Sequence, residues 1–304
     1  MYSVAVENST KFKFKGHETF VLRDGWLSKG IAAVSADPEV FREYYGADAL
    51  GVGPNMAKAI RYWLKTAGLI RTCKAGVELT DIGGLILEND RYIEDPFTLW
   101  IMHMNIAMNK EEATAWNLFF NEFDMDEFTK EQLQNVMISL AESMAGTDKT
   151  ISEKSVASDC DAILQMYVRR HVEDYDPEEK KICPFQGLGL VRMQNEKYEK
   201  VQPSSDILDP ISVWYAIDKY VKKINDKAGK DDAGKVSVSI DQLLTAPDSP
   251  GRILNLKRTA MIGYISRLAD DGLLTLNQTA GLDMVYLKES KEAAEIVEDH
   301  YSGR

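Results

Sequence analysis

The amino-acid sequence predicts a mainly α-helical protein with small β-wings, in which N-terminal and C-terminal winged helix-turn-helix domains flank a helical middle layer. Residues 50–85 have the pattern of a helix, a glycine turn, a second helix and a hairpin. A similar helix-and-hairpin pattern follows residue 256, and apolar residues at helical spacing fill the region between. The expected domain boundaries are 1–92, 93–205 and 206–304, and a second helix-turn-helix that starts at Thr150 is a candidate within the acidic middle region.

The second helix of the first pattern, residues 55–68, has one apolar side and one basic side. The apolar positions recur every three or four residues, as in a helix packed on a core. They are Met56, Ile60, Trp63, Leu64 and Ala67. The opposite side carries Lys58, Arg61, Tyr62 and Lys65. A buried back and a basic front suit a helix that contacts DNA, so these four residues are the predicted contacts. The alternatives are a solvated face and a protein-docking face.

Local signals predict the elements around this helix. Residues 10–16 alternate lysine and phenylalanine, which indicates a short strand. A first helix is expected over 25–34, and another is expected to start at Asp37-Pro38, because an N-cap residue followed by proline commonly begins a helix. The strands of the wing are expected at 69–73 and 77–80.

The C-terminal region repeats part of this pattern. Gly272 follows a helix and precedes an apolar strand, as Gly68 does in the first pattern, and glycine is the usual residue after a helix end. Arg252 and Arg258 form part of a second, weaker candidate surface for DNA. Arg252 follows a Ser-Pro-Gly turn, and its alternative role is to brace that turn.

Composition and charge narrow the class of protein. A hydrophobic fraction of 44% and a charged fraction of 28% are ordinary for a globular protein. No apolar run has the length of a membrane span, and the N-terminus lacks a signal-peptide pattern, so we expect a cytoplasmic protein without a membrane partner. The three cysteines are widely spaced, which argues against a zinc site.

The net charge of −12 is unevenly distributed. Residues 1–80 have a net charge of +3, residues 81–180 of −14 and residues 181–304 of −1. Because attraction to phosphates acts over about 8–10 Å in physiological salt, the local charge matters more than the total. The basic N-terminal region is therefore compatible with DNA binding, and the acidic region 81–180 is a candidate protein-docking face.

Several motifs resemble the signature of the family known as domain of unknown function 4007. The first is the run Phe14-x-Gly-His-Glu-Thr-Phe-x-Leu-Arg-x-Gly-Trp-Leu-x-Lys29. The match continues through residues 50–56, 60–64, 94–100, 113–123, 249–252 and 279–282, which together span nearly the whole chain.

This resemblance implies a bacterial protein that belongs to a DNA phosphorothioation system, an anti-phage modification in which sulfur replaces a non-bridging phosphate oxygen. The implied activity is a DNA nickase: an endonuclease that cuts one strand and thereby opens the backbone to the sulfur-inserting enzymes. Implied partners are DNA and proteins of the phosphorothioation machinery. The resemblance assigns no catalytic residues.

A nickase hydrolyses a phosphodiester, commonly with a divalent metal such as Mg²⁺ or with a histidine base. The candidates are His17, Glu18 and Arg23, which could move a proton, bind a metal and hold a phosphate. The alternative role of His17 and Glu18 is to cap and brace the first helix. Glu178-x-Lys180 matches a nuclease motif only by chance, and Gly229–Lys235 lacks the hydroxyl residue of a phosphate-binding loop, so no ATP or nicotinamide site is expected.

Two other functions use the same helices. A non-catalytic adaptor would bind DNA and recruit the sulfur-transfer enzyme. A transcriptional regulator would prefer one promoter sequence.

Overall fold

The computed structural model describes residues 11–146, 150–169, 182–228, 237–279, 282–288 and 290–303. It contains 56% helix and 12% strand, and its strands form small antiparallel sheets. This confirms the prediction of a mainly α protein. The assignment of winged helix-turn-helix domains stays a prediction.

The N-terminal region contains the expected helix, glycine turn, second helix and hairpin. Its elements are α1 (Trp26–Ala36), α2 (Ala47–Leu50), α3 (Pro54–Thr66), β1 (Ile70–Cys73), β2 (Gly76–Leu79) and α4 (Asp81–Asn89). The apolar side of α3 packs on α1, and β1 pairs antiparallel with β2 in the register Ile70↔Leu79. Gly68 follows α3 with φ 76°, a left-handed conformation that glycine adopts without strain.

The middle region is built around an almost fully buried helix. Its elements are α5 (Pro96–Ala107), α6 (Thr114–Asn121), β3 (Glu127–Phe128), α7 (Lys130–Ala145), α8 (Glu153–Tyr167), β4 (Val191–Gln194) and β5 (Lys197–Lys200). Helix α5 is apolar on nearly all sides, which is typical of a helix surrounded by others. Asp95 caps its start by accepting the backbone N–H of Phe97. The sheet has the order β3-β5-β4.

The C-terminal region also follows the predicted order. Its elements are α9 (Pro210–Ala228), β6 (Ser237–Ser239), α10 (Ile240–Thr245), α11 (Pro250–Ile253), α12 (Arg258–Asp270), β7 (Leu274–Thr279), β8 (Leu282–Leu287) and α13 (Ala293–Ser302). Asp209 precedes α9 and accepts the backbone N–H of Ser212 at 2.7 Å. Strand β8 lies between β6 and β7.

Long-range contacts join the three regions. Helix α13 packs on α4, and α5 packs on α9. His103 of α5 connects two further elements: its Nε2 lies 2.7 Å from the carbonyl oxygen of Ile253, and its Nδ1 lies 2.8 Å from the hydroxyl of Tyr167. The buried apolar side chains of all three regions belong to one connected core.

Two local predictions were wrong. Residues 11–19 contain no strand: they run irregularly and then turn, with Lys15, Glu18 and Thr19 at positive φ. No helix starts at Asp37-Pro38, because Asp37 ends α1 and its carboxylate accepts the N–H of Glu39 at 2.8 Å, which forms a turn. Among the described residues, none of the helices combines the length and the apolarity needed to cross a membrane.

Candidate nucleic-acid interface

The basic side of α3 is only partly the surface that the sequence predicted. Lys65 is exposed, and Lys58 and Arg61 are half-buried. Tyr62, in contrast, is 6% exposed, so its predicted place on the DNA-contacting surface is wrong. The N-terminal segment covers it: the backbone of Gly16 packs so closely on the Tyr62 ring that a Cβ would not fit there.

Lys58 and Arg61 lie against aromatic rings. The Lys58 amine is 4.5 Å from the ring centre of Tyr45, and the Arg61 guanidinium is 5.6 Å from that of Phe41. Lys58 also lies 3.5 Å from the side-chain oxygen of Asn55. Within the described part of the chain, neither cation forms an ion pair with a carboxylate. Their positive charge is therefore available to a phosphate.

Lys65 has a different environment, because it shares Glu112 with Lys13. The distances to the carboxylate of Glu112 are 2.7 Å from Lys65 and 3.3 Å from Lys13. Burial acts to raise the pKa of Glu112, but the two lysines outweigh it, so the pKa lies below its ordinary value. Two cations and one anion leave this end of α3 positive.

Two exposed tyrosines adjoin the basic side of α3. Tyr44 is 74% exposed and Tyr45 is 46% exposed, and they have φ angles of 42° and 58°. Left-handed backbone is unfavourable for bulky residues and is a feature that often accompanies a functional site. Exposed aromatic rings beside cations can stack on nucleic-acid bases. Two adjacent tyrosines before a glycine are the signal that the sequence offers for this pair, and that signal did not predict their exposure.

His17 lies in a buried cluster rather than on a surface. Its ring stacks on Trp63 with 5.9 Å between centroids, and the edge of Trp116 lies 5.7 Å away. Its Nε2 is 2.8 Å from a carboxylate oxygen of Asp159 on α8. Both side chains are 1% exposed.

The hydrogen bonds of Asp159 orient the ring of His17. The carboxylate also accepts the backbone N–H of Lys15 at 3.0 Å. Burial raises the pKa of Asp159, and the donors from His17 and Lys15 oppose that effect. A carboxylate accepts, so Nε2 is the donor in this hydrogen bond. In the described residues Nδ1 is buried without a hydrogen-bond partner, so it does not reach a DNA phosphate in this conformation.

Glu18 and Arg23 have surroundings separate from those of His17. Glu18 is exposed on the N-terminal turn. Arg23 is half-buried, and its guanidinium lies 5.1 Å from the ring centre of Trp26 and 6.0 Å from that of Phe20. Packing on these rings makes Arg23 a brace at the start of α1.

The two arginines of the predicted C-terminal surface are held in ion pairs. Arg252 lies 2.7 Å from Asp124, and its Nε donates to the carbonyl of Thr245. Arg258 pairs with Asp241 and lies 3.4 Å from Asp283. Because local carboxylates already compensate both charges, this surface is a weaker place for a phosphate than α3.

The expected divalent metal has no evident ligand set in the described ranges. No group of three His, Cys, Asp or Glu side chains there could hold a metal ion. The acidic stretch 171–181 and the loop Gly229–Lys235 lie outside these ranges. The described residues therefore assign no metal-bound step in phosphodiester cleavage.

Comparison with known proteins relates this fold to solved structures. A crystal structure of magnesium-bound SspB superposes with a TM-score of 0.80 at 25% identity, over 95% of this chain and 88% of that one. A second SspB crystal structure has the same TM-score and coverage at 26% identity. No curated protein matches the sequence. The model of the family described as "protein of unknown function (DUF4007)" matches residues 14–301, and the chain therefore belongs to the DUF4007 family.

Proposed function

We propose that this protein binds duplex DNA through the basic side of α3 and is the strand-nicking component of a bacterial DNA phosphorothioation system. The DNA-binding part of this proposal rests on one observation. Lys58 and Arg61 lie partly exposed on one side of α3 and form no ion pair with a carboxylate in the described part of the chain. The core behind the helix holds this side rigidly toward solvent.

The overall negative charge does not oppose this proposal. In physiological salt a surface charge is screened beyond about 8 Å, so a phosphate beside α3 is affected mainly by Lys58, Arg61 and Lys65. The acidic region 81–180 reduces attraction to DNA elsewhere on the protein. DNA would therefore bind in one orientation rather than over the whole surface.

The nicking part of this proposal rests on the similarity of the chain to known proteins. The motifs of residues 14–29 imply a role in phosphorothioation, and the SspB structures share the fold over nearly the whole chain. One of those SspB crystals contains magnesium, which supports a test of metal-dependent cleavage for this chain.

A plasmid assay tests both the DNA binding and the nicking. Nuclease-free protein with Mg²⁺ or Mn²⁺ is expected to convert supercoiled plasmid to the open-circular form without producing linear DNA. Lys58→Glu plus Arg61→Glu should slow this conversion at least tenfold. The matched control is Lys130→Glu plus Lys197→Glu, which makes the same change in charge on exposed lysines of α7 and β5. Absence of open-circular product with either metal would contradict the nicking role.

A non-catalytic adaptor is the second candidate, and the burial of His17 favours it. An adaptor would bind duplex DNA as the nickase does and would leave supercoiled plasmid intact. Its acidic region 81–180 would then contact the sulfur-transfer enzyme. Duplex binding that is lost in Lys58→Glu plus Arg61→Glu, without plasmid conversion by the wild type, would exclude nicking, and binding without preference for one promoter sequence would favour the adaptor over a regulator.

A further inference from the structure

A second basic feature is a cavity of about 660 Å³ between the N-terminal hairpin, the end of α5, α9 and the start of α13. Five cationic side chains line it: Lys65, Arg71, Lys110, Lys219 and Lys223. Three exposed carboxylates also line it: Asp81, Glu111 and Glu292. Its size falls in the range of small-molecule sites, which is about 300–1,000 Å³.

Lys219 is the unusual member of this set. Its amine donates to the side-chain oxygen of Asn105, a neutral acceptor that also receives the hydroxyl of Tyr215 at 3.0 Å. The amide nitrogen of Asn105 donates to the carbonyl of Ala67 at 2.9 Å, which fixes the orientation of the oxygen. In the described residues Lys219 forms no ion pair with a carboxylate.

Such an amine is costly to bury. An ammonium group removed from water needs a counter-charge, and an amide oxygen supplies only a partial one. Burial, assisted by the neighbouring Lys223, lowers the pKa of Lys219 to about 8. Asp248 opposes this lowering, and an anion beside the amine would raise the pKa of Lys219 further and stabilise its charged form.

The other cations are compensated to different degrees. Lys223 lies 2.7 Å from Asp248, and Arg71 lies 2.7 Å from Glu78. Lys65 is paired with Glu112, as described above. Lys110 is exposed at the rim and has no ion pair among the residues described. The lining cations without an ion pair are therefore Lys219 and Lys110, and the exposed carboxylates of Asp81 and Glu111 also have none among the described residues.

The start of α13 also borders the cavity, but its own carboxylates already cap it. Ala293 and Ala294, the first two residues of this ten-residue helix, line the cavity. Glu292 and Glu295 form a capping box: the Glu292 carboxylate accepts the backbone N–H of Glu295, and the Glu295 carboxylate accepts the backbone N–H of Glu292 at 2.7 Å. Because these carboxylates offset the positive end of the helix dipole, the attraction for an anion comes from the lysines.

We propose that this cavity binds a phosphoryl group, which contacts Lys219 and lies close to Lys223. Lysines act as point charges for phosphate, and the amine of Lys219 meets a neutral amide oxygen rather than a carboxylate. The proposal is independent of DNA binding by α3, since only Lys65 belongs to both surfaces.

Calorimetric titration with inorganic pyrophosphate tests the proposal. The wild type is expected to bind with a measurable dissociation constant, and Lys219→Met should weaken binding at least tenfold. Lys219→Arg should retain most of the affinity because it keeps the charge. Lys130→Met, an exposed change on α7, is the control and should bind as the wild type does. Undetectable binding to the wild type, or equal binding to Lys219→Met, would overturn the proposal.

Thermal unfolding shows whether Lys219→Met merely fails to fold. Lys219 is half-buried and has no carboxylate partner in the described residues, so an apolar residue can replace it at little cost and without ligand this variant should melt at or above the wild-type temperature. Pyrophosphate should raise the melting temperature of the wild type and not that of the variant. A variant that melts well below the wild type would show a structural role for Lys219 and would count against the site.

Competition identifies the source of the phosphoryl group. A 5′-phosphorylated oligonucleotide that displaces pyrophosphate, while its 5′-hydroxyl counterpart does not, would identify the end of a cleaved strand as the ligand. Displacement by neither oligonucleotide would identify a free phosphorylated compound. Either result supports the phosphoryl site and assigns its source.

Discussion

The imidazole of His17 and the carboxylate of Asp159, 142 residues apart in the chain, are joined by a 2.8 Å hydrogen bond inside the core. This bond attaches the N-terminal segment to α8 and lies directly behind α3, because His17 stacks on Trp63. The same segment passes over Tyr62. The candidate DNA-binding helix is thus held from behind by a polar pair that is shielded from water.

The first prediction concerns this pair. His17→Phe removes the donor and leaves the buried carboxylate of Asp159 with only the N–H of Lys15, so we expect a loss of about 3 kcal/mol in the free energy of unfolding. His17→Phe plus Asp159→Leu should recover part of that loss, since it removes the unpaired buried carboxylate and leaves only the backbone N–H of Lys15 without its acceptor. Urea denaturation measures both. If the double variant lost as much unfolding free energy as His17→Phe and Asp159→Leu lose together when measured separately, the pairing would be contradicted.

The second prediction is a pH dependence that originates at His103. A carbonyl only accepts, so Nε2 donates to Ile253 and Nδ1 accepts the hydroxyl of Tyr167. The neutral ring is therefore fully satisfied, and burial lowers the pKa of His103 from its ordinary 6.5 to about 4. Above pH 6.5 the ring is neutral in both the folded and unfolded states. Between pH 6.5 and 4 only the unfolded chain gains the proton, so stability falls by about 3 kcal/mol.

His103→Gln provides the comparison for this effect. Glutamine can donate to Ile253 and accept from Tyr167 but does not titrate. The difference in unfolding free energy between the two proteins should shift by about 3 kcal/mol as the pH falls from 7 to 4. All other titrating groups are common to both proteins. Parallel pH profiles would show that His103 is not the source.

The third prediction compares the two glycines that follow α3 and α12. Both have left-handed φ angles, 76° at Gly68 and 80° at Gly272. A Cβ on Gly68 would lie 2.8 Å from the amide nitrogen of Asn105, whereas one on Gly272 would have nothing nearer than 3.7 Å. Gly272→Ala should cost about 1 kcal/mol from backbone strain, and Gly68→Ala about 2–3 kcal/mol because overpacking adds to it. Equal losses in chemical denaturation would contradict the close packing on Asn105.

The fourth prediction concerns the exposed tyrosines beside Lys58. If Tyr44 stacks on a base, Tyr44→Ala should weaken binding of fluorescein-labelled oligothymidine about fivefold or more, since each stacked base contributes about 1–3 kcal/mol. Tyr92→Ala is the matched control, because Tyr92 is 70% exposed and lies between α4 and α5. Fluorescence anisotropy measures both. The same loss in both variants would show that the site does not involve Tyr44.

Local structure was predictable from the sequence where short-range rules decide it. The helix over 55–68, its glycine ending and the hairpin after it have strong local signals, and all three are observed. Asp37-Pro38 has an equally strong helix signal, but the Asp37 carboxylate bonds to the N–H of Glu39 and forms a turn instead. A local signal fails where the same residues fit both a helix start and a turn.

The environment of the site was less predictable, because contacts distant in sequence determine it. A helical pattern places Tyr62 with Arg61 and Lys65, yet Gly16 lies across its ring. No spacing rule connects His17 with Asp159. Similarly, the lysines of α9 have the pattern of a solvated side, but packing of α9 on α5 brings Lys219 to Asn105.

The salt dependence of duplex binding tests the central claim most directly. Each cation that neutralises a phosphate contributes about −0.9 to the slope of log affinity against log salt. Lys58→Ala plus Arg61→Ala should therefore make the slope about two units shallower than in the wild type, while Lys130→Ala plus Lys197→Ala leaves it unchanged. A Lys58→Ala plus Arg61→Ala protein with the wild-type slope and affinity would contradict DNA binding by α3.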